Sequence, residues 1–282
     1  MPELPEAEVV RRGLDAVVRG RTLVAVEVGR DRAVRREPSM AAFVDALAGR
    51  TVAGTGRIGK FLVVRLADGD GRDVVVVHLG MSGQLRVAES AAEPRRPHTH
   101  VVWALDDGRE VRFVDPRTFG QMWRDRTREP GGRPVTLGHL GPDALDDLTD
   151  ASVLASRLAN RRVRLKLRLM DQTAVAGLGN IYTDEICFRA GVSGGRPAGA
   201  LADAEVERLV EVTRVVLTDA IVAGGSSLAD AQYVDLFGRT GEYQRQHAVH
   251  ARAGLACPVC GTEIVRERFG GRFGYSCSVC QT

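Results

Sequence analysis

Residues 2–6 read Pro-Glu-Leu-Pro-Glu. Removal of the initiator Met1, which a small penultimate side chain permits, would bare the ring nitrogen of Pro2 as a secondary amine. An α-amino group has an ordinary pKa of about 8, so near pH 7 it is neutral and nucleophilic for an appreciable fraction of the time. A secondary amine that attacks a masked aldehyde forms an iminium that cannot discharge by losing an N–H proton. Such an adduct is a lasting electron sink for eliminations next to it. Glu3 and Glu6 place carboxylates beside that amine. The same five residues equally suit a helix start, with Pro5 in the first turn. At the other end of the chain, Cys257-Pro-Val-Cys260 and Cys277-Ser-Val-Cys280 form two C-x-x-C knuckles flanking residues 261–276. Two such pairs supply a tetrahedral, structural zinc site with no open position for substrate, and the span between them suits a β-hairpin. Disulfides are the alternative. No apolar export segment precedes the first charged residues, so a reducing compartment is expected, which disfavours them. The fifth cysteine, Cys187, lies in an apolar helical context and reads as a core residue.

The cations carry a second signal. Of 39 Lys and Arg residues only Lys60 and Lys166 are lysine. Arginine does not release its proton in a protein, whereas lysine can, so these two positions are candidates for proton chemistry. Base composition of the genome explains an arginine excess equally well. The formal net charge is only +3, so nucleic-acid binding would need a local basic face rather than bulk charge. No apolar run is long enough to span a bilayer, and a non-membrane protein is expected.

These groups need a scaffold. Glu6 to Gly20 has helical periodicity through Val10, Leu14, Val17 and Val18. Strand patterns follow at Leu23–Val28, Phe61–Leu66, Val74–Leu79, His100–Leu105 and Val111–Val114, with Asp-Gly turns between some of them, which suggests an antiparallel sandwich covered by the first helix. Residues 129–134, Glu-Pro-Gly-Gly-Arg-Pro, read as a linker. Helical periodicity then returns at 151–158, 163–170, 180–189 and 203–222, before hairpins from about residue 248. Three glycine-rich turns stand out. Ala176-Gly-Leu-Gly-Asn180 could bring backbone amides and a helix dipole to a phosphate. His78-Leu-Gly-Met81-Ser-Gly83 and Asp115-Pro-Arg117-Thr-Phe119-Gly120 present long side chains at loop tips, as DNA-bending proteins do, although core packing is the simpler use of each taken alone.

Taken together, Pro2-Glu3-Leu4-Pro5-Glu6, Gly59-Lys60, the two loops at 78–83 and 115–120, Gly179-Asn180-Ile181-Tyr182 and the four-cysteine ribbon ending in Cys280-Gln281 resemble the formamidopyrimidine-DNA glycosylase family end to end. The resemblance implies an α+β multidomain fold. Its parts would be an N-terminal β-sandwich over 1–130, a helix–two-turn–helix domain over 131–245 and a zinc-ribbon hairpin over 246–282, with damaged double-stranded DNA between the lobes. It implies excision of oxidised purines through a Schiff base on Pro2, followed by β,δ-elimination at the abasic site. Glu3, helped by Glu6, would move protons at the sugar, Lys60 would donate a proton in β-elimination, and Arg272 would grip the flanking phosphate and assist δ-elimination. His78, His98, Arg161, Lys166 and Asn180 match DNA-contacting positions. Met81, Arg117 and Phe119 would fill the space left by the extruded nucleotide. Cys257, Cys260, Cys277 and Cys280 would hold one structural Zn2+. A monomer in the cytoplasm, associated with the nucleoid, is expected.

The chain also departs from the family pattern. Thr118 stands where a second Arg is common, Phe273 is bulkier than usual, and Gly274 replaces a usual Thr. Ala251 and Ala256 replace a Gly and a Pro before the first knuckle. A loop within 226–246 should close over the extruded base. Two other readings remain open: an endonuclease VIII-type preference for oxidised pyrimidines, and a zinc-ribbon DNA-binding protein without turnover. His98 and His100 lie two apart, and in a continuous strand they would share a face. Pro97 could instead leave His98 in the loop.

Overall fold

The computed structural model describes residues 2–67, 69–228 and 233–282. The chain divides into two compact units, Met1–Gly138 with Gly224–Glu242, and His139–Ala223 with Tyr243–Thr282.

In the first unit, helix α1 (Leu4–Val18) runs along strand β2 (Val52–Ile58), burying Val10, Leu14, Val17 and Val18. Each such side chain contributes about 1.5–3 kcal/mol on burial. The opposite face of α1 carries Arg11, Arg12 and Arg19, paired to Glu8 and Asp15 within one turn. The helix opens where the Glu3 N–H donates to the Glu6 carboxylate at 2.8 Å, which satisfies an otherwise orphaned terminal donor. It ends before Gly20, whose φ of 74° lies in the left-handed region.

Two four-stranded antiparallel sheets enclose one apolar core. The first has the order β1 (Leu23–Val28), β6 (Thr99–Leu105), β7 (Glu110–Val114), β5 (Gln84–Ala88). The second runs β2, β3 (Phe61–Leu66), β4 (Asp73–His78), β8 (Gln121–Arg126). The expected sandwich is present. Four elements had no sequence signal strong enough to name them. Strand β2 contains Gly54, Gly56 and Arg57, poor strand formers that the sheet holds in place by pairing with β3. Strand β8 is half charged, β5 is only five residues long, and the short helix α2 (Met40–Leu47) depends on its Ser39 cap, which accepts from the Ala42 N–H.

The second unit holds α3 (Ala151–Leu158), α4 (Leu165–Met170), α5 (Asn180–Arg189), α6 (Asp203–Val222) and the hairpin β9–β10 (Val265–Phe269, Arg272–Ser276). Helix α5 is buried from Ile181 to Phe188, including Asp184 and Glu185. Glu185 accepts the N–H groups of Ala248, Val249 and His250, and so docks the segment that leads into the first cysteine knuckle. Phe188, Val249, Ile264, Cys257 and Cys277 form the small core beneath that knuckle. The loop expected to close over a base, within 226–246, includes residues 229–232, which lie outside the described residues, as does Met1. No helix among the described residues is long and apolar enough to cross a membrane.

Ala251, one of the departures from the family pattern, has φ of 60°. That conformation costs an alanine about 1–2 kcal/mol, against a chain-entropy cost of about 0.5–1 kcal/mol for glycine. Ala251→Gly should therefore raise stability by about 0.5–1 kcal/mol. Urea unfolding midpoints measure this, and a lowered midpoint would refute the strain.

Candidate functional site

In the first unit, Pro2 is buried at the start of α1, together with Glu3 and Glu6. Glu6 does two things. Its Oε2 accepts the Glu3 N–H and its Oε1 accepts the Ser226 N–H, both at 2.8 Å. The helix-start reading of these residues thus holds alongside the chemical one. Gly225, with φ of 81°, is required there, since a Cβ would lie 2.9 Å from Glu6 Oε1.

Lys60 sits in the two-residue turn Gly59-Lys60 between β2 and β3, where Ile58 pairs with Phe61. Gly59 has φ of 57°, the positive value that a tight hairpin needs at its first central residue. Although at a hairpin tip, Lys60 is only 7% exposed. The turn is braced from below: Arg57 Nη1 donates to the Gly59 carbonyl at 2.9 Å, and Arg57 Nε lies 3.4 Å from Glu8. Burial works against ionisation of Glu8, yet hydrogen bonds from Arg11 and Arg12 and the charges of Arg11 and Arg57 hold its carboxyl below the usual range. Neither Glu8 nor Arg57 was singled out from sequence, since each looks like one more charge on a polar face.

His78 ends β4 with its ring centroid 4.7 Å from that of Phe61. Burial, then the charges of Lys60, Arg36 and Arg35, pull its pKa from 6.5 down to about 4. At pH 7 it is a neutral donor or acceptor. Because the folded value lies below the unfolded one, stability is intact above about pH 6.5 and is lost as acid takes the pH toward about 4. The variant His78→Gln should lose this component. Its stability relative to wild type, measured in urea, should improve steadily as the pH falls through that window, and a pH-independent difference would contradict the shift.

The two loop tips come together. Arg117 Nη2 lies 3.6 Å from Met81 Sδ, and its guanidinium carbon 5.1 Å from the Phe119 ring centroid. Met81 and Phe119 are 39% and 43% exposed, and they stand side by side. Their backbones are nearly in contact, because a Cβ on Gly80 would lie 2.5 Å from the Gly120 nitrogen. Asp115 is the junction. Fully buried, it accepts from Ser82 Oγ at 2.6 Å and from the N–H groups of Arg117 and Gly120 at 3.2 and 2.7 Å. Its own N–H donates to the His98 carbonyl. His98 is exposed, with φ of 64°, and the strand begins at Thr99, while His100 is buried against the Asp115 carbonyl at 2.9 Å. His98 therefore stays in the turn before the strand, with its ring 6.3 Å from that of His100. Asp115 was legible only as the first letter of a turn, although an Asp two residues before an Arg at such a turn is a recurrent backbone-capping signal.

The second unit holds the remaining candidates. Asn180 opens α5, and its Nδ2 donates to the Phe273 carbonyl at 3.0 Å, tying the helix start to the hairpin. Arg272 is exposed, next to the two-residue tip Gly270-Gly271. Arg161 is exposed just after α3. Lys166 is different: it is 2% exposed, and its ammonium is engaged with Asp184 Oδ1 at 2.5 Å and the Asn180 carbonyl at 3.3 Å. Asp184 also binds His250 Nδ1 at 2.8 Å. Lys166 thus braces the start of α5 and does not present its charge at a surface. Gly274 has two side chains packed over it. A Cβ there would lie 2.8 Å from the Phe269 ring and 3.0 Å from Lys166 Cδ, so these two side chains occupy the space a threonine would need. Adjacent acids flanked by Ile181-Tyr182 and Ile186-Cys187-Phe188 were the signal that could have identified Asp184 and Glu185.

The four thiols of Cys257, Cys260, Cys277 and Cys280 lie within 4.8 Å of one another, with Sγ–Sγ distances of 3.8 Å for 257–280 and 3.4 Å for 260–277. A tetrahedron with Zn–S bonds of about 2.3 Å needs edges of about 3.8 Å. The donor set and spacing fit one zinc ion, and four protein ligands close its coordination.

Residues 1–122 match the formamidopyrimidine-DNA glycosylase N-terminal domain, 140–232 the formamidopyrimidine-DNA glycosylase H2TH domain, and 254–282 the zinc finger found in FPG and IleRS. The chain is 43% identical over 290 residues to a formamidopyrimidine-DNA glycosylase of Nocardia farcinica, covering 100% of this chain and 98% of that one. Among solved structures it is similar to the MutM (FPG) protein of Thermus thermophilus, with 38% identity, a TM-score of 0.84, and 99% and 98% of the two chains covered. It is also similar to a variant of the Lactococcus lactis FPG in complex with DNA containing Fapy-dG, with 29% identity, a TM-score of 0.86 and 99% of each chain covered.

Proposed function

Since the chain belongs to the formamidopyrimidine-DNA glycosylase family, we propose that it excises oxidised purines from duplex DNA and then cuts the strand at the abasic site. The observation that carries this reading is the chain start: Pro2, Glu3 and Glu6 are buried together, with Glu6 locked between the Glu3 and Ser226 amides. Binding alone has no need of a proline nitrogen flanked by buried carboxylates.

The chemistry assigns each group a task. The Pro2 nitrogen attacks C1′ of the extruded nucleotide. The N-glycosidic bond breaks, and the base leaves with its electron pair and gains a proton. Opening of the sugar leaves an iminium between Pro2 and C1′, which withdraws electrons from C2′. Loss of a C2′ proton then expels the 3′ phosphate (β-elimination), and a second elimination expels the 5′ phosphate. Glu3 moves protons at the sugar, Lys60 donates the proton in β-elimination, and Arg272 grips a flanking phosphate and assists the second elimination. Met81, Arg117 and Phe119 fill the vacated space, offsetting an unstacking cost of about a few kcal/mol. His78, His98, Arg161 and Asn180 contact the backbone, and Lys166 serves by holding the start of α5, whose helix dipole favours an anion. The zinc ion, when bound, only fixes the hairpin that carries Arg272. Residues 1–130, 131–245 and 246–282 act as catalytic, helical and zinc-finger parts of a monomer working at the nucleoid in the cytoplasm.

Excision from duplexes carrying 8-oxoguanine or thymine glycol tests the assignment. We expect the oxidised purine to be released faster. A clear preference for thymine glycol would instead place the chain with the pyrimidine-specific enzymes, and no release of either would leave a binding protein.

A further inference from the structure

We propose that Arg35, with Arg32, is a positioning residue that clamps the loop bearing Arg117 and Phe119, an inference that rests on the glycosylase reading above. Three consecutive carbonyls of that loop accept hydrogen bonds from the two guanidinium groups. Arg32 Nε donates to the Thr118 carbonyl at 3.2 Å, and Arg35 Nη2 and Nη1 donate to those of Phe119 and Gly120 at 3.0 and 3.1 Å. On the N–H side the Asp115 carboxylate holds Arg117 and Gly120. The loop backbone is therefore gripped by opposite charges, cations on its carbonyls and an anion on its amides.

The grip has work to do. Thr118 has φ of 53°, a conformation that a β-branched residue adopts only when its surroundings enforce it. Phe119 and Met81 stand 43% and 39% exposed. A loop that must push side chains between bases needs its backbone fixed beforehand, because compliance there would let the displaced base return. The clamp itself is planted firmly. Ala33 and Val34 plug the preceding turn into the core, Arg36 lies 4.0 Å over the Trp123 ring, and Glu37 accepts from Arg124 N and Nε. Arg35 also donates to the Arg32 carbonyl at 2.9 Å, which sets the two arginines relative to each other. A guanidinium can span two carbonyls from one rigid fork, whereas an ammonium is a single point.

The test compares two substrates. In single-turnover assays Arg35→Ala should slow release of 8-oxoguanine paired with cytosine by about tenfold or more, as small misplacements of positioning groups do. Cleavage at a preformed abasic site, where no paired base must be displaced, should fall far less. Arg35→Lys should keep most of the defect, and Arg35→Gln supplies a second folded variant should the alanine variant melt early. In an Arg117→Ala, Phe119→Ala background, Arg35→Ala should add almost nothing, because the clamp acts through the two side chains that loop carries. Additive losses, or equal losses on both substrates, would overturn the proposal, as would normal release by all three Arg35 variants. Failure of the wild-type protein to release the base would instead sink the glycosylase reading.

Discussion

One extra residue in front of Pro2 is expected to abolish covalent trapping of the protein on abasic-site DNA by borohydride. In the extended chain the proline nitrogen is an amide, with its lone pair delocalised into the carbonyl, so it cannot attack C1′. DNA binding should persist, because the phosphate-gripping candidates, Asn180 and Arg272, lie far along the chain. Pro2→Gly leaves a primary amine, whose iminium can lose its N–H proton to become a neutral imine, so both base release and strand cleavage should slow without disappearing. The measurement is the fraction of protein shifted into the borohydride-stable adduct, with mass spectrometry to establish the terminus of each sample. Equal trapping of extended and processed protein would refute a Pro2 nucleophile.

Removing the zinc should have the next largest effect. Metal binding to four thiolates is folding energy, about 10–16 kcal/mol in apparent terms for small zinc modules. Cys257 and Cys277, two of its ligands, also form part of the small core with Phe188, Val249 and Ile264. Cys260→Ala is therefore expected to lose bound zinc and to weaken DNA binding by about tenfold or more, because the hairpin that carries Arg272 loses its anchor. Helix content elsewhere in the second unit should survive, since α6 packs through its own apolar face. Zinc content and gel-shift affinity decide the outcome. A variant that keeps both would show that the four cysteines are not the metal site.

Much of the arrangement was readable along the chain, for reasons that differ from residue to residue. The four cysteines identify their own site because thiolate ligands leave few alternatives and the C-x-x-C spacing sets the bite. Helices α1, α3 and α6 follow from apolar periodicity. Strands β2 and β8 were not readable, since their glycine, arginine and aspartate residues pair only because neighbouring strands impose the ladder. Lys166 illustrates the opposite limit. Its rarity marked it as important, but only the fold shows that its charge faces Asp184 rather than solvent.

Reaction chemistry belongs to single residues and their immediate neighbours: a proline amine, adjacent carboxylates, paired thiols. Those are covalent properties, already present in the linear polymer before it folds. Positioning is another matter. Asp115 holding Ser82, Arg35 holding Gly120, and Glu6 holding Ser226 join residues far apart along the chain. Such contacts cost loop-closure entropy and form only when a packed core brings their ends together, so no local pattern announces them.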